Sequence, residues 1–349
     1  MRDLAAILLS PLGAAYRAGM AVRGALYGRG LLASADAGVP VVCVGNLTLG
    51  GTGKTPMVAL VASALRDAGR RPAIVSRGYR RATPPGELVV VSEGGALLAE
   101  PAAAGDEPVL LASMLPGVAV AVCADRARAA RELVGRGLCD CVVLDDGFQH
   151  LALRRDADLV LVDATRDLAR LRMFPAGTLR EPPDALARAA AVVHTRAGGS
   201  PDHSAANRAL VAARFPAMPQ FAARFIADRV TEGPDGGTDV PPDALPGHLL
   251  AFAGIAHPDP FFAAARALAP RVDTLPLPDH AAYDAATIDR VIRAARDAGT
   301  ADLLTTAKDA VKLRGVMPPD GMRLLVLHQR VEVEPLDGFR AVLARAVAR

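Results

Sequence analysis

A glycine-rich loop between an apolar strand and a helix holds the residues most able to do chemistry. Residues 39–46 predict a buried β-strand, and the loop that follows contains three glycines before Lys54 and Thr55. Glycines let consecutive backbone N–H groups point at a polyphosphate, the lysine can reach the β- and γ-phosphates, and the threonine hydroxyl can bind Mg²⁺. The helix adds the positive end of its dipole. The pattern predicts a protein that binds ATP or GTP and transfers or releases a phosphoryl group.

One position departs from the usual phosphate-binding pattern G-x-x-x-x-G-K-[ST], which has glycine where this chain has Thr48. The flanking elements nevertheless favour a phosphate-binding loop over a flexible loop with a chance lysine. Apolar residues recur at helical spacing over 57–65, Pro56 suits a first turn, and Gly69 suits a helix end. The residues that we expect to hold the nucleotide are Thr48, Leu49, Gly50, Gly51, Thr52, Gly53, Lys54 and Thr55.

A pair of aspartates follows another apolar strand. Residues 142–146 resemble a Walker B strand that ends in Asp145 and Asp146. Phosphoryl transfer needs a metal ion that bridges the β- and γ-phosphate oxygens, and a carboxylate at the end of such a strand can hold it. The alternative is an ordinary strand-to-turn Asp-Asp-Gly. Because a phosphate-binding loop precedes it, we expect Thr55, Asp145 and Asp146 to be the Mg²⁺ ligands, without deciding between the two aspartates.

Three further candidate regions are weak when taken from the residues alone. Asp106 and Glu107 precede Pro108 and an apolar helical run, which is ordinary helix-start sequence. His280 lies in a loop after an apolar strand, where a single histidine is usually only solvated. The basic loop 77–81 is equally an anion receiver or a solvated turn.

Strands that alternate with helices predict a parallel sheet covered on both faces. Such sheets bind ligands at the carboxyl ends of their strands, where the glycine-rich loop, the basic loop 77–81 and the Asp145–Asp146 pair fall. We therefore predict an α/β protein with a P-loop NTPase-like parallel sheet, helices on both faces, and a smaller C-terminal α/β domain. The expected units are a helical segment at 1–31, the nucleotide-binding domain at 32–214, the smaller domain at 215–335 and a C-terminal helix at 336–349. Residues 196–206 and 228–247 read as loops or linkers.

The composition predicts a protein that does not span a membrane. The chain has 349 residues, 51% of them hydrophobic, and four cysteines in apolar runs that we interpret as reduced core residues. No apolar run is long enough to cross a bilayer, and no signal-peptide cleavage pattern is present. We expect neither a nucleic-acid partner nor an obligate protein partner.

The first 31 residues are apolar and carry four arginines against one aspartate. Such a segment is either an anchor on a membrane surface or a helical arm packed on its own domain. Its proline and glycines, Pro11, Gly13, Gly19 and Gly24, predict two short helices rather than one.

These motifs together resemble the tetraacyldisaccharide 4′-kinase family. The matching segments are residues 45–46 with 50–56, 76–79, 105–108, 145–150, 155–156, 175–182, 252–255, 278–280 and 305–309. Thr48 fits, because the loop of this family is similarly non-standard. The resemblance implies ATP and Mg²⁺ as cofactors and transfer of the γ-phosphate to the 4′-hydroxyl of an acylated glucosamine disaccharide 1-phosphate, which makes lipid IVA in lipid A biosynthesis. It also implies a peripheral protein at the cytoplasmic face of the bacterial inner membrane, which favours the anchor at 1–31.

The resemblance also gives roles to the weak candidates. Asp106 and His280 match the catalytic Asp-His pair of the family, with Asp106 accepting the proton of the sugar hydroxyl and His280 orienting that hydroxyl. A second histidine that sometimes follows is Ala281 here. Closure of the two domains would assemble the pair and exclude water. Weaker substrate candidates are Arg77, Glu107, Gln149 and His150, and Arg80 and Arg81 join Arg77 as receivers of the lipid 1-phosphate.

The alternative function is a nucleotide-switched peripheral membrane ATPase without a small-molecule acceptor. The glycine-rich loop is similar to the deviant loop of such ATPases, but Leu49 stands where their signature lysine belongs. A GTPase would need Asn-Lys-x-Asp for guanine, and residues 306–309 do not match that spacing.

Overall fold

Strands and helices alternate along the chain in the computed structural model, which describes residues 2–79, 81–234, 237–316 and 321–348. The strands are β1 Val41–Asn46, β2 Pro72–Ser76, β3 Val89–Glu93, β4 Ala119–Val122, β5 Cys141–Asp145, β6 Ala157–Asp163, β7 Ala191–Thr195, β8 Gln220–Glu232, β9 Asp239–Val240, β10 His248–Ala253, β11 Arg271–Pro276, β12 Asp302–Thr306 and β13 Arg323–Glu334. The helices are α1 Arg2–Gly28, α2 Lys54–Asp67, α3 Pro101–Ala104, α4 Asp106–Met114, α5 Arg126–Gly135, α6 Ser204–Arg214, α7 Asp259–Leu268, α8 Ala285–Ala298, α9 Ala307–Ala310 and α10 Leu336–Ala346.

One mostly parallel sheet runs through the molecule in the order β11-β10-β12-β13-β8-β7-β6-β1-β5-β2-β4-β3, and β9 pairs with β8. The antiparallel pairs are β3 with β4, β8 with β13 and β8 with β9. Every residue of β1, β5 and β6 is buried, because helices and loops cover both faces at the centre of the sheet. The predicted α/β fold with a parallel sheet is confirmed, and the four cysteines lie buried in it.

The loops that matter for chemistry meet at one edge of this sheet. The central order β6-β1-β5-β2 is parallel throughout. Parallel strands bring their carboxyl ends to the same edge, so the loops after β1, β5 and β2 are neighbours. These three loops are the glycine-rich loop, the Asp145–Asp146 turn and the basic loop 77–81, as the sequence predicts.

Two long strands connect the central sheet to its C-terminal strands. β8 pairs with β7 through its first residues and with β13 along its length, from Glu232 opposite Leu325 to Ala222 opposite Glu334. The prediction of loop at 228–247 is therefore wrong for 228–232 and 239–240, since pairing satisfies the backbone there despite the polar sequence. Likewise residues 204–206 belong to α6. The predicted domain boundary after residue 214 falls between α6 and β8, and the division into domains stays a prediction.

The N-terminal segment forms one helix, so the prediction of two short helices is wrong. α1 is 27 residues long and continues through Pro11. Contacts with the loop around residue 174 hold it: the Tyr16 and Phe174 rings are 5.7 Å apart, and a Cβ on Gly13 would lie 3.4 Å from the Met173 carbonyl oxygen. A proline removes one helical hydrogen bond, a cost of about 3 kcal/mol that such packing offsets. Within the residues that the structure describes, no helix is both long enough and apolar enough to cross a bilayer.

Candidate active site

The glycine-rich loop between β1 and α2 takes left-handed backbone angles at two positions. Gly50 has φ 99° and Gly53 has φ 81°, and a Cβ on Gly53 would also collide with the ring of Phe225. Glycine is required at such positions because L side chains are strained there. Thr48 is not left-handed and instead forms an antiparallel bridge with Leu179. The loop of this chain therefore needs no glycine at position 48.

Side chains that follow or end two strands brace this loop. The Asn46 side-chain amide donates to the Thr52 hydroxyl at 2.9 Å. The Arg196 guanidinium donates to the Gly51 carbonyl at 2.8 Å and also pairs with Asp163 at the end of β6. These contacts fix the loop before any anion arrives, which lowers the entropy that binding would cost.

Lys54 and Asp146 face each other beside the loop. The Lys54 Nζ atom is 3.8 Å from Asp146 Oδ1, and Arg180 Nη1 is 3.1 Å from each carboxylate oxygen of Asp146. Burial by itself raises the pKa of Asp146, but Lys54 and Arg180 outweigh it, so the pKa lies below its usual value. Asp146 is thus an ionised, doubly paired carboxylate whose partner Lys54 can turn to a phosphate.

Asp145 has a different environment from its neighbour. Its carboxylate is buried, Oδ2 accepts a hydrogen bond from the Ser76 hydroxyl at 2.9 Å, and Oδ1 is buried without a hydrogen-bond partner among the described residues. Burial first, then the charges of Glu107 and Asp146, raise the pKa of Asp145 to about 7. A buried carboxylate oxygen without a donor, surrounded by negative charge, fits a hard divalent cation.

The structure brings Asp106 and His280 together although they are far apart in sequence. Asp106 is the first residue of α4, a helix that packs against α2 and α9. His280 lies in the loop after β11, where its backbone is left-handed at φ 58° and its N–H donates to the Gly254 carbonyl at 3.0 Å. The His280 Nδ1 atom is 3.7 Å from Asp106 Oδ2. An acid and an imidazole at this distance can handle one proton together once a substrate tightens the pair.

Comparisons with known proteins point to one family. A family model described as tetraacyldisaccharide-1-P 4′-kinase matches residues 5–348. The chain belongs to the tetraacyldisaccharide 4′-kinase family. A tetraacyldisaccharide 4′-kinase of Anaeromyxobacter dehalogenans strain 2CP-C is 42% identical over 332 residues, which cover 93% of this chain and 85% of that protein. Another, of Geobacter metallireducens, is 42% identical over 314 residues and 89% of each chain.

A solved structure has the same fold. It is a crystal structure of LpxK from Aquifex aeolicus, described as an "apo" form in complex with ATP, with a TM-score of 0.80 and 30% sequence identity. The similarity covers 98% of this chain and 99% of that one. The kinase assignment makes this chain a phosphotransferase of lipid A biosynthesis with a hydroxyl group as acceptor. It also decides against the nucleotide-switched ATPase.

Two of the weaker substrate candidates of the kinase already have partners inside the protein. The Gln149 side chain donates to the Asn46 carbonyl at 3.0 Å, which ties the Asp145–Asp146 turn to the end of β1. His150 Nδ1 is 3.3 Å from Arg126 Nη1. Burial first, then the charges of Arg126 and Arg155, lower the pKa of His150 to about 4, so its imidazole is neutral near pH 7.

The other weak candidates differ in how exposed they are. Arg77 is exposed after β2, whereas the Arg81 guanidinium donates to the carbonyls of Pro84 and Glu87 at 2.9 and 2.6 Å and so braces its own loop. Arg80 lies outside the described residues. The Glu107 carboxylate accepts a hydrogen bond from Lys308 Nζ at 3.1 Å.

Sequence reasoning missed three arginines that lie at the candidate site. Arg180 pairs with Asp146, Arg196 braces the glycine-rich loop, and Arg126 begins α5 with its side chain largely buried. Burial first, then the charge of Arg77, lower the pKa of Arg126. Arg180 falls inside the matched segment 175–182, so the family resemblance could have identified it. No motif marks Arg196, which only follows a strand.

Proposed function

We propose that the kinase transfers the γ-phosphate of ATP to the 4′-hydroxyl of a tetraacyldisaccharide 1-phosphate, giving lipid IVA, between the glycine-rich loop and the His280 loop. The observation that carries this proposal is the 3.7 Å distance between His280 Nδ1 and Asp106 Oδ2. Asp106 begins α4, and α4 packs against α2, the helix that Lys54 begins. The site thereby has a phosphate-binding loop on one side and a proton acceptor with its partner on the other.

Residues 48–55 would hold the triphosphate of ATP. The backbone N–H groups around Gly50, Gly51 and Gly53 and the first turn of α2 offer donors to the phosphate oxygens. Lys54 makes a 3.8 Å contact with Asp146, whose charge Arg180 already balances. A triphosphate carries more negative charge than one carboxylate, so Lys54 would move to the β- and γ-phosphates when ATP binds.

Mg²⁺ would bind at Asp145, with Thr55 and Asp146 as further candidates. Oδ1 of Asp145 has no hydrogen-bond partner among the described residues, which supports this, whereas Asp146 is engaged by two cations. The described residues hold no group of three or more His, Cys, Asp or Glu side chains that could bind a metal by themselves. The ion would therefore share phosphate oxygens and water as ligands, as Mg²⁺ usually does. Bound there, it would neutralise charge on the phosphates during transfer.

Asp106 would accept the proton of the 4′-hydroxyl as that oxygen bonds to the γ-phosphorus. The bond from the γ-phosphorus to the bridging oxygen of ADP breaks in the same step, and ADP leaves with the electron pair. His280 would orient the hydroxyl from the other side. A positioned base of this kind is typically worth about 10²- to 10⁴-fold in rate. Exclusion of water from the closed site would prevent hydrolysis of ATP.

The lipid 1-phosphate would be received by Arg77, which is exposed at the same sheet edge. A guanidinium fork matches the geometry of a phosphate. Glu107, Gln149 and His150 stay weaker candidates for contact with the sugar, because each already contacts a protein partner. Arg81 is left out, since its donors hold its own loop.

Residues 1–31 would hold the kinase at the cytoplasmic face of the inner membrane. The outer side of α1 exposes Leu12 and Val22 by 58% and 60%, and Phe174 beside the helix is 43% exposed. Apolar side chains on a basic helix bind an anionic lipid surface. The acylated disaccharide acceptor could then reach the site while its acyl chains stay in the membrane.

Removal of residues 1–31 should therefore abolish binding to vesicles that contain anionic lipid, measured by flotation. A full-length variant with Leu12→Asp and Val22→Asp is the sharper test, because both side chains are exposed and the helix stays in place. We expect it to float at least several-fold less than the wild type. Unchanged flotation of both variants would overturn the membrane anchor and leave the transfer reaction unaffected.

Asp106→Asn tests the transfer reaction itself. With γ-labelled ATP and the tetraacyldisaccharide 1-phosphate, we expect kcat to fall about 10²- to 10⁴-fold, because the amide cannot accept the proton. The Kd of ATP should stay within about twofold, since Asp106 is not part of the glycine-rich loop. Asp337→Asn, an exposed acid in the first turn of α10, is the matched control. A full-rate Asp106→Asn enzyme would remove Asp106 from the mechanism.

A further inference from the structure

The distribution of lysine in this chain is unusual. Only three of its 40 basic residues are lysines. All three lie against acidic residues of the site: Lys54 with Asp146 at 3.8 Å, Lys308 with Glu107 at 3.1 Å and Lys312 with Asp106 at 3.7 Å. Elsewhere the chain uses arginine. A compact ammonium group, which can direct three donors independently, is thus present where the proposed chemistry takes place.

Lys312 has the most complete set of partners of these lysines. It lies in the 3₁₀ turn Val311–Leu313 that follows α9, with its side chain 11% exposed. Its ammonium is 3.5 Å from Asp309 Oδ1 and 3.7 Å from Asp106 Oδ2, and it donates to the Ala281 carbonyl at 3.1 Å. Three acceptors therefore surround a group that has three N–H donors.

One of these contacts has a purely structural explanation. Asp309 is fully buried, and its Oδ2 accepts hydrogen bonds from the Gly254 N–H at 3.0 Å and the Thr306 hydroxyl at 2.8 Å. Its Oδ1 has no hydrogen-bond partner among the described residues. Lys312 supplies the positive charge that a buried carboxylate needs. That need does not explain why Lys312 also contacts Asp106, because Asp106 belongs to a different helix, α4.

We propose that Lys312 is a positioning residue for phosphoryl transfer, which rests on the proposed function of Asp106. Lys312 and His280 both approach the same oxygen of Asp106, Oδ2. Two partners on one oxygen fix the plane of the carboxylate and leave Oδ1 as the oxygen turned towards the acceptor hydroxyl. Asp309 in turn holds Lys312 in place. A proton acceptor must be oriented to within a fraction of an ångström, so a loss of this contact slows the chemical step.

A compensated pair of variants separates the two roles of Lys312. Lys312→Met alone should lower kcat about 10- to 100-fold, as expected for a misplaced reacting group, and should also lower Tm because Asp309 is left buried without a counter-charge. Adding Asp309→Asn removes that charge and should restore Tm. We expect kcat of the double variant to stay low and the KM for ATP to stay within about twofold of wild type. Asp309→Asn alone gives the reference kcat, and kcat of the double variant should lie about 10-fold or more below it, since only the double variant lacks Lys312.

Recovery of kcat together with Tm in the double variant would overturn the proposal, because Lys312 would then only neutralise Asp309. Lys312→Met in an Asp106→Asn background gives the second measurement. We expect less than about a twofold further loss of kcat there, since Lys312 acts through Asp106. A further loss as large as in the wild type would place its action elsewhere and also overturn the proposal. Full activity of Asp106→Asn alone would instead refute the proposed function, so the two failures are distinguishable.

Discussion

The proposed nucleotide side and the proposed acceptor side of the site are built in different ways. On the nucleotide side, one strand, one loop and one helix that are consecutive in sequence form the phosphate-binding loop, and the neighbouring strand β5 supplies the carboxylates. On the acceptor side, Asp106 comes from α4, His280 from the loop after β11, and Lys312 from the turn after α9. The first site is a local motif, whereas the second exists only where distant segments meet.

The lengths of the contacts also differ between the two sides. The loop is braced by hydrogen bonds of 2.8 and 2.9 Å, while both contacts of Asp106 with the C-terminal part measure 3.7 Å. Catalytic contacts are often long without substrate and tighten in the complex. Under the proposed function, the nucleotide side is thus held by short contacts before a ligand binds, and the acceptor side would tighten when its ligand binds. Variants on the two sides should accordingly affect different kinetic constants.

Lys54→Ala should have the largest effect and should act through the nucleotide. We expect transfer to fall by at least about 10³-fold, with weaker ATP binding and an unchanged circular dichroism spectrum, because a charge-assisted contact to the phosphates is lost. Isothermal titration with ATP and the label-transfer assay measure both quantities. Asp106→Asn is the comparison on the acceptor side. Equal weakening of ATP binding by Lys54→Ala and Asp106→Asn would contradict the division of the site into two sides.

The pH dependence of stability should report the buried carboxylate on the nucleotide side. Because the pKa of Asp145 is about 7 in the folded state and 3.8 in the reference state, the folded protein holds this proton more tightly. Its contribution to stability is complete below pH 4 and is lost as the pH rises through 7. In a metal chelator, the free energy of unfolding should fall by roughly 2–3 kcal/mol more in the wild type than in Asp145→Asn between about pH 5 and pH 8.

Urea unfolding of both proteins across this pH range measures that difference. Parallel pH profiles would mean that Asp145 titrates normally and that its free oxygen finds a partner in solution. The acceptor side should not contribute to the difference, since both proteins keep it unchanged.

His280→Asn should have the smallest of these effects on the reaction. Asparagine tolerates the left-handed backbone of residue 280, so the variant removes the imidazole without straining the loop. We expect kcat to fall about 10- to 100-fold with little change in Tm. His280→Ala should lose the same activity and about 1 kcal/mol of stability in addition. Wild-type kcat in His280→Asn would leave Asp106 without the partner proposed for it.

Sequence reasoning succeeded where the structure is local. The left-handed glycines of the loop, the buried strand β1 and the carboxylates after β5 are each specified by residues within one short segment. It failed where strand pairing or packing against a distant segment decides the local structure. The polar end of β8 becomes a strand because β13 satisfies its backbone, and α1 continues through Pro11 because a distant loop packs against it.

By itself, the sequence determined that a strand, a glycine-rich loop and a helix would follow one another, because backbone angles are properties of adjacent residues. The motif combination also identified the family. Only the tertiary structure decided that Lys312 would share one carboxylate oxygen with His280, and that Arg180 and Arg196 would join the loop. Electrostatic contacts act over a few ångströms in space, and separation along the chain does not reveal which charges come that close.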